Sequence, residues 1–215
     1  MANRKDASTE TPAWVVSFAD LMSLLFSFFV LLTTLSTQPK NCEGIREYME
    51  NNKAFFKNYE LRSTKLSCIV SLPQDYLFKS GQGKIQPSAF KALTPFFEKI
   101  RDLPEHREDL LIVEGHTDNV PIRTREFPSN WELSSARATN ISVFMMEKLK
   151  FARERLSVSA YADSRPKTPY VDTYGKPLTG KDLQNARQTN RRVEIILTTP
   201  PKSLEETTML FDGRE

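Results

Sequence analysis

The chain has 215 residues, room for one domain of ordinary size plus accessory segments and too few for two large catalytic domains. Thirty Lys and Arg against 27 Asp and Glu leave a net charge of +3, far from the concentrated basicity of a nucleic-acid surface, so nucleic acid is not an expected partner. Two His and two Cys, at Cys42 and Cys68, are too few for a disulfide scaffold or for a zinc or iron enzyme, and their spacing fits no metal motif.

In chain order the first element is an apolar run, WVVSFADLMSLLFSFFVLLTTL, from Trp14 to Leu35. At about 1.5 Å per residue it makes a helix of roughly 33 Å, enough to cross a hydrocarbon core of about 30 Å. A cleaved signal peptide would have a shorter apolar region and a small-residue cleavage site, so one uncleaved transmembrane helix is expected over 14–35, after a tail of residues 1–13. Arg4 and Lys5 before it are matched by Lys40 and Arg46 after it, and the positive-charge rule gives no orientation.

Asp20 is the one ionisable residue of this run. A carboxylate inside a bilayer costs about 2.5 to 3.5 kcal/mol on the mildest scale, so it needs a partner, a proton or a bound cation. Ser17, Ser23 and Ser27 fall with it at helical spacings of 3, 3 and 4, a polar stripe on an apolar rod. Oxygen ligands of this kind suit a hard cation. Snorkelling to the headgroups is the bland alternative, which the short Asp stem opposes.

The wording PAWVVSFADLMSLLFSFFVLLTTLS resembles the single span of MotB-type stator subunits of the flagellar motor. The resemblance implies that Asp20 carries the transported ion, with Ser17, Ser23 and Ser27 supporting the path. FADLMSLL and FFVLL are closer to the sodium-driven PomB-like branch than to the proton-driven one. Sodium is therefore the expected cargo, H+ the alternative, and no resident cofactor is expected.

Residues 36–60 are expected to be a linker holding an amphipathic helix, with Ile45, Tyr48, Met49, Phe55, Phe56 and Tyr59 on one face. That face implies a partner surface without naming it. Packing on the following domain or on a second copy is one reading; in the resembling family a helix here is a plug that blocks ion flow at the membrane. For a domain that must reach a distant wall, this segment or the domain's edge would have to release. Cys42 and Cys68 could pair outside the cytoplasm, where oxidation is permitted, but sequence shows no proximity, and two unpaired buried residues are the expected state, since a free Cys behaves as a small hydrophobe.

Residues 61–199 read as an α+β domain. Strands are expected at Leu66–Leu72, Leu110–Glu114, Leu156–Tyr161 and Arg191–Leu197, and helices at Pro87–Arg101 and Trp131–Leu149. A proline-marked loop runs through Pro166, Pro169 and Pro177, and residues 200–215 form a polar tail. The chemical signals sit where elements end: GHTDNVP, SNWELSSARA and NARQTNRRVEI. Asp118, Asn130, Arg137, Arg191 and Arg192 together suit a zwitterion, because Arg binds a carboxylate through paired hydrogen bonds while Asp receives an ammonium group. His116 beside Asp118 leaves an acid/base reading open, but no nucleophile sits in a recognisable motif.

GHTD, N-x-x-L-S-x-x-R-A and N-R-R-V-E, in that order, resemble the OmpA-like peptidoglycan-binding domain. This implies a β/α sandwich that holds the diaminopimelate residue of the peptide stem. Asp118 and Arg137 would take its ammonium and carboxylate, with Thr117, Asn130, Leu133 and Arg191 lining the pocket. The longer loop at 120–129 carries no transferable role. Peptidoglycan places the domain in the periplasm and the N-terminus in the cytoplasm, on a single-pass protein of the inner membrane. The expected partners are a multi-span A-type subunit, the flagellar rotor through that subunit, peptidoglycan and a second copy of this chain. A static envelope tether, or a stator-like motor outside the flagellum as in Zorya-type phage defence or polymer transport, remains an alternative. An enzyme is not expected.

Overall fold

The computed structural model describes residues 12–34, 40–56 and 58–200, so both expected tails lie almost wholly outside the described residues. The chain divides into two compact units, Met1–Gln38 and Pro39–Glu215. The first is one helix, α1 (Ala13–Thr34), starting directly after Pro12. Residues Ala13–Thr33 have a mean hydropathy of 2.3 and suffice in length and composition to cross a membrane. Trp14, Phe18, Leu21 and Phe26 leave it exposed on several sides, an arrangement that lipid or a protein partner must cover.

The second unit is built on five strands: β1 (Glu60–Ser63), β2 (Ser67–Pro73), β3 (Leu110–His116), β4 (Leu156–Ala162) and β5 (Arg192–Thr198). Their order is β1-β2-β5-β3-β4. All pairs are antiparallel except β3 with β4, which needs a crossover, and α6 (Asn130–Leu149) supplies it. Period-2 alternation turns Cys68, Val70, Leu72, Leu111, Val113, Val193, Ile195 and Leu197 into one core. The register stacks them in rows, such as Val70, Ile195 and Val113. Phe96, Phe97 and Ile100 of α5 (Pro87–Asp102) and Ile141 and Met145 of α6 close it from above.

Two sequence signals fix α6. Ser129 caps its N-terminus, accepting from the Trp131 N–H and bonding Glu132 in return, the reciprocal arrangement of a capping box. At Gly115 of β3 a Cβ would stand 2.2 Å from the Ser134 carbonyl oxygen of α6. Any side chain there would push helix and strand apart.

The N-terminal part of this unit corrects two expectations. The amphipathic segment is α2 (Glu43–Asn51) and a short α3 (Lys53–Phe56), with Ile45, Met49 and Phe56 buried in the domain core. The folded unit therefore starts near residue 40 and not at 61, and the apolar face of α2 packs on the domain. Cys42 and Cys68 are joined in a disulfide across 26 residues. Sequence spacing could not show that the fold of 40–68 returns Cys42 to β2. Closing a loop of that size stabilises by about 3.5 kcal/mol in the chain-entropy account. The elements absent from the expectations are β1, α4 (Gln74–Leu77) and α7 (Gly180–Asn190). All are short or largely polar, so they carry little hydrophobic period.

A buried polar clasp holds the same corner. Lys40 Nζ lies 2.6 Å from Asp109 Oδ1, and His106 Nδ1 lies 2.8 Å from Oδ2. Arg155 ties this turn from the other side by donating to the Asp109 and His106 carbonyls. Burial by itself would raise the Asp109 pKa, but the hydrogen bonds and charges of His106 and Lys40 outweigh it and hold the carboxyl below its usual range. A carboxyl that titrates lower folded than unfolded stabilises fully above its unfolded value, about 3.9, and loses that contribution as pH falls through the folded value. Asp109→Asn is thus expected to destabilise the protein at pH 7 by about 1 to 3 kcal/mol and to flatten the decline of stability below about pH 4. Chemical denaturation of both proteins across pH 2 to 7 checks this; parallel curves would remove Asp109 from the clasp.

Candidate functional site

At the end of the sheet where β2 and β3 stop and β5 begins lies a cavity of about 850 Å³, within the range of small-ligand sites. All six residues expected there, Thr117, Asp118, Asn130, Leu133, Arg137 and Arg191, line it. They come together by three local devices. Thr117 continues β3 and bonds its N–H to the Ala162 carbonyl. Asp118 makes a turn in which its own Oδ1 accepts from the Val120 N–H at 3.0 Å, the usual way an Asp side chain shapes a loop. Asn130, the first residue of α6, donates to the carbonyls of Asp118 and Val120 at 3.3 and 3.0 Å. Leu133 and Arg137 follow at helical spacing on the same face of α6.

The two arginines have different tasks. Arg191 makes a two-pronged bond to Asp75, at 3.1 and 2.7 Å, and reaches Asp118 Oδ2 at 3.0 Å. Its hydrogen bond to Asp75, set against burial and aided by Asp118, raises its pKa further; it is a bolt between two acids. Arg137 is only 3% exposed and has no carboxylate within ion-pair distance among the described residues. Its Nε donates to the Gln82 carbonyl at 2.9 Å, its Nη1 bonds Gln74 Oε1, and its plane lies over Phe78. Burial lowers its pKa to about 10, with Arg191 adding to the effect and Asp75 and Asp118 opposing it. It remains a cation at neutral pH, held in a cavity wall without an ion pair among the described residues.

Sequence reasoning missed Asp75 and Gln74. Neither stands in a motif; they reach the pocket because Pro73 pairs with Arg192 across β2 and β5, so the residues just after β2 lie beside those just before β5. Two other expectations are corrected. His116 does not face Asp118, since it is the last residue of β3 and its side chain lies on the opposite sheet face, stacked on Tyr161. Arg192 also turns to that face and bonds Glu194 at 2.8 Å. No acid/base pair with Asp118 is formed among the described residues, and the pocket contains binding groups.

The other expected site lies in the first unit. Ser17, Asp20, Ser23 and Ser27 fall along one side of α1 by its helical spacing. Ser23 donates to the Asp20 carbonyl at 2.9 Å, which leaves its oxygen free to accept. The Asp20 carboxylate has no partner among the described residues.

Comparison with known proteins gives two family matches. The family described as Membrane MotB of proton-channel complex MotA/MotB matches residues 2–52, and the OmpA family matches residues 77–177. Motility protein B of Bacillus subtilis (strain 168) is 27% identical over 172 residues, covering 77% of this chain and 58% of that protein. The periplasmic domain of Helicobacter pylori MotB superposes with a TM-score of 0.57 at 25% identity, covering 73% of this chain and 88% of the other. The cell wall anchor of the T6SS from Pseudomonas aeruginosa has the same fold, with a TM-score of 0.59 at 22% identity over 73% of this chain and 97% of that one. The apolar first helix lies within the segment that matches MotB, and the five-stranded domain holds the segment that matches the OmpA family: the chain joins a MotB-like N-terminal segment to a domain of OmpA-like fold.

Proposed function

We propose that this protein is the stationary, wall-anchored subunit of an ion-driven flagellar stator, with its N-terminus in the cytoplasm and its domain in the periplasm. The observation that carries the anchoring half is Arg137. Holding a guanidinium in a pocket wall without a paired acid destabilises the empty protein, and such a position is retained where a ligand carboxylate supplies the missing partner. Asp118, at the same cavity, offers a carboxylate to an ammonium group. A zwitterionic amino-acid centre such as that of diaminopimelate in peptidoglycan fits both, and the Pseudomonas aeruginosa protein of the same fold is described as a cell wall anchor.

The motor half rests on Asp20. One span cannot enclose a hydrated ion path, so a multi-span partner of the MotA type must complete it, and a dimer of this chain would place two such carboxylates inside it. Sodium entry neutralises Asp20 and changes its contacts with the partner; one charge crossing 100 mV supplies about 2.3 kcal/mol. The anchored domain resists the resulting force. The apolar face of α2 is occupied by the domain core, so a plug role for this helix would first require the domain's edge to open.

Three outcomes are expected. Arg137→Met removes a buried unpaired charge and should leave unfolding stability within about 1 kcal/mol of the parent, or above it, while co-sedimentation with purified peptidoglycan falls at least tenfold. A large loss of stability with binding intact would make Arg137 a structural residue. Asp20→Asn should abolish torque in swimming cells with membrane levels and wall retention unchanged. If Asp20→Leu swims normally, the span is only an anchor and the protein a tether. Swimming speed of cells carrying this protein should rise with external sodium at fixed pH; dependence on pH alone assigns the proton.

A further inference from the structure

The sheet face away from the pocket carries a second cluster of charged groups. The β3–β5 register sets Glu114 directly opposite Glu194 and His116 opposite Arg192, and the pleat turns all four to one side. Two carboxylates directly across a strand pair repel, and both are shielded from water: Glu194 is 5% exposed and the Glu114 side chain 13%. Glu194 is provided for, because its Oε1 accepts from Arg192 Nε at 2.8 Å and Ser71 Oγ at 2.9 Å. Glu114 has no equivalent donor among the described residues. Its nearest cationic candidate is His116, whose Nε2 stands 3.5 Å from Glu114 Oε2, beyond a good hydrogen bond.

His116 is 2% exposed, and neither of its ring nitrogens has a hydrogen-bond partner among the described residues. A buried imidazole left without hydrogen-bond partners destabilises the fold. The ring is nonetheless held in place: Tyr161 stacks on it at 5.5 Å, and the Arg165 guanidinium covers Tyr161 at 3.7 Å. One ligand atom each from Glu114, His116 and Glu194 lies within 4.8 Å of the other two. An aimed, unpartnered imidazole beside two facing carboxylates is an arrangement that attracts positive charge.

We propose that Glu114, His116 and Glu194 bind one divalent transition-metal ion of the zinc type, on the sheet face opposite the ligand pocket. One imidazole nitrogen with two carboxylate oxygens is a borderline donor set, suited to zinc and its first-row neighbours, whereas calcium and magnesium take oxygen alone. The ion's charge offsets Glu114, for which the described residues supply no close cation beyond His116, while Glu194 keeps Arg192, and His116 joins as the neutral base that a metal requires. Tetrahedral zinc spaces its ligand atoms about 3.3 Å apart, so the Glu114–His116 pair already has the required separation and a carboxylate rotation brings in Glu194. Arg192 and Ser71 orient Glu194 from behind, as supporting groups do around metal ligands. Bound there, the ion pins the end of β3, from which Thr117 and Asp118 pass to the pocket on the other side. The only other histidine, His106, is committed to Asp109.

The test uses the full-length protein in detergent, stripped with a chelator and titrated with zinc against a zinc-binding chromophore, beside the near-isosteric Glu114→Gln and His116→Gln. The expected result is one zinc per chain, an affinity loss of at least 100-fold in either variant, and a zinc-dependent rise in unfolding temperature in the parent alone. Absence of binding, or equal binding by parent and Glu114→Gln, overturns the proposal. So does a His116 proton resonance that titrates identically with and without zinc, which makes a proton the occupant. Should a variant fail to fold, X-ray absorption at the zinc edge of the loaded parent decides: a shell of one nitrogen with oxygens supports the site, and several nitrogens or sulfur reject it.

Discussion

The approach of α6 to β3 at Gly115 sets the geometry of the five-stranded domain. A methyl group at that position would overlap the Ser134 carbonyl at 2.2 Å, so helix and strand meet backbone against backbone. Because the contact is one residue from the strand's end, Thr117 and Asp118 leave β3 where the first two turns of α6 present Asn130, Leu133 and Arg137. Interiors are packed closely enough that a displacement of the helix would be transmitted to the whole row. The capping box at Ser129 and Glu132 then fixes where the helix starts, and the Asn130 amide sews the Asp118 loop to it.

Charge is distributed unequally around this frame. Arg191 with Asp75 and Asp118, and Arg192 with Glu194, are paired and bonded, the condition under which buried ions are tolerated. Arg137 in the cavity wall and Asp20 in the apolar helix are not. Neither has an ion-pair partner among the described residues, and the proposed function rests on both.

The regular elements were legible where hydrophobic period was strong. α5 begins at Pro87 and α6 ends at Leu149 as the pattern implied, and β3, β4 and β5 differ from expectation only at their ends. β1, α4 and α7 were not legible, because four-residue elements and polar helices hold no period to read. Six pocket residues stood in motifs and could be named. Asp75 could not, because its proximity to Arg191 depends on the β2–β5 register. The Cys42–Cys68 bond failed for the same reason, as did the separation of His116 from Asp118, adjacent in the motif but on opposite faces of the sheet.

What the sequence by itself determined is what local periodicity and chemistry can encode: an apolar rod of membrane length with one acid in it, a mixed domain, and the residue types that suit a zwitterion. Tertiary structure alone decided which strands neighbour one another, that α2 belongs to the domain and is bonded to β2, which charges are paired, and that Glu114, His116 and Glu194 converge on the far face of the sheet. The physical reason is range. Helical and strand periods act over a few residues and are written in the order of the side chains, whereas strand register joins residues about eighty apart, such as Glu114 and Glu194, and depends on the packing of the whole core.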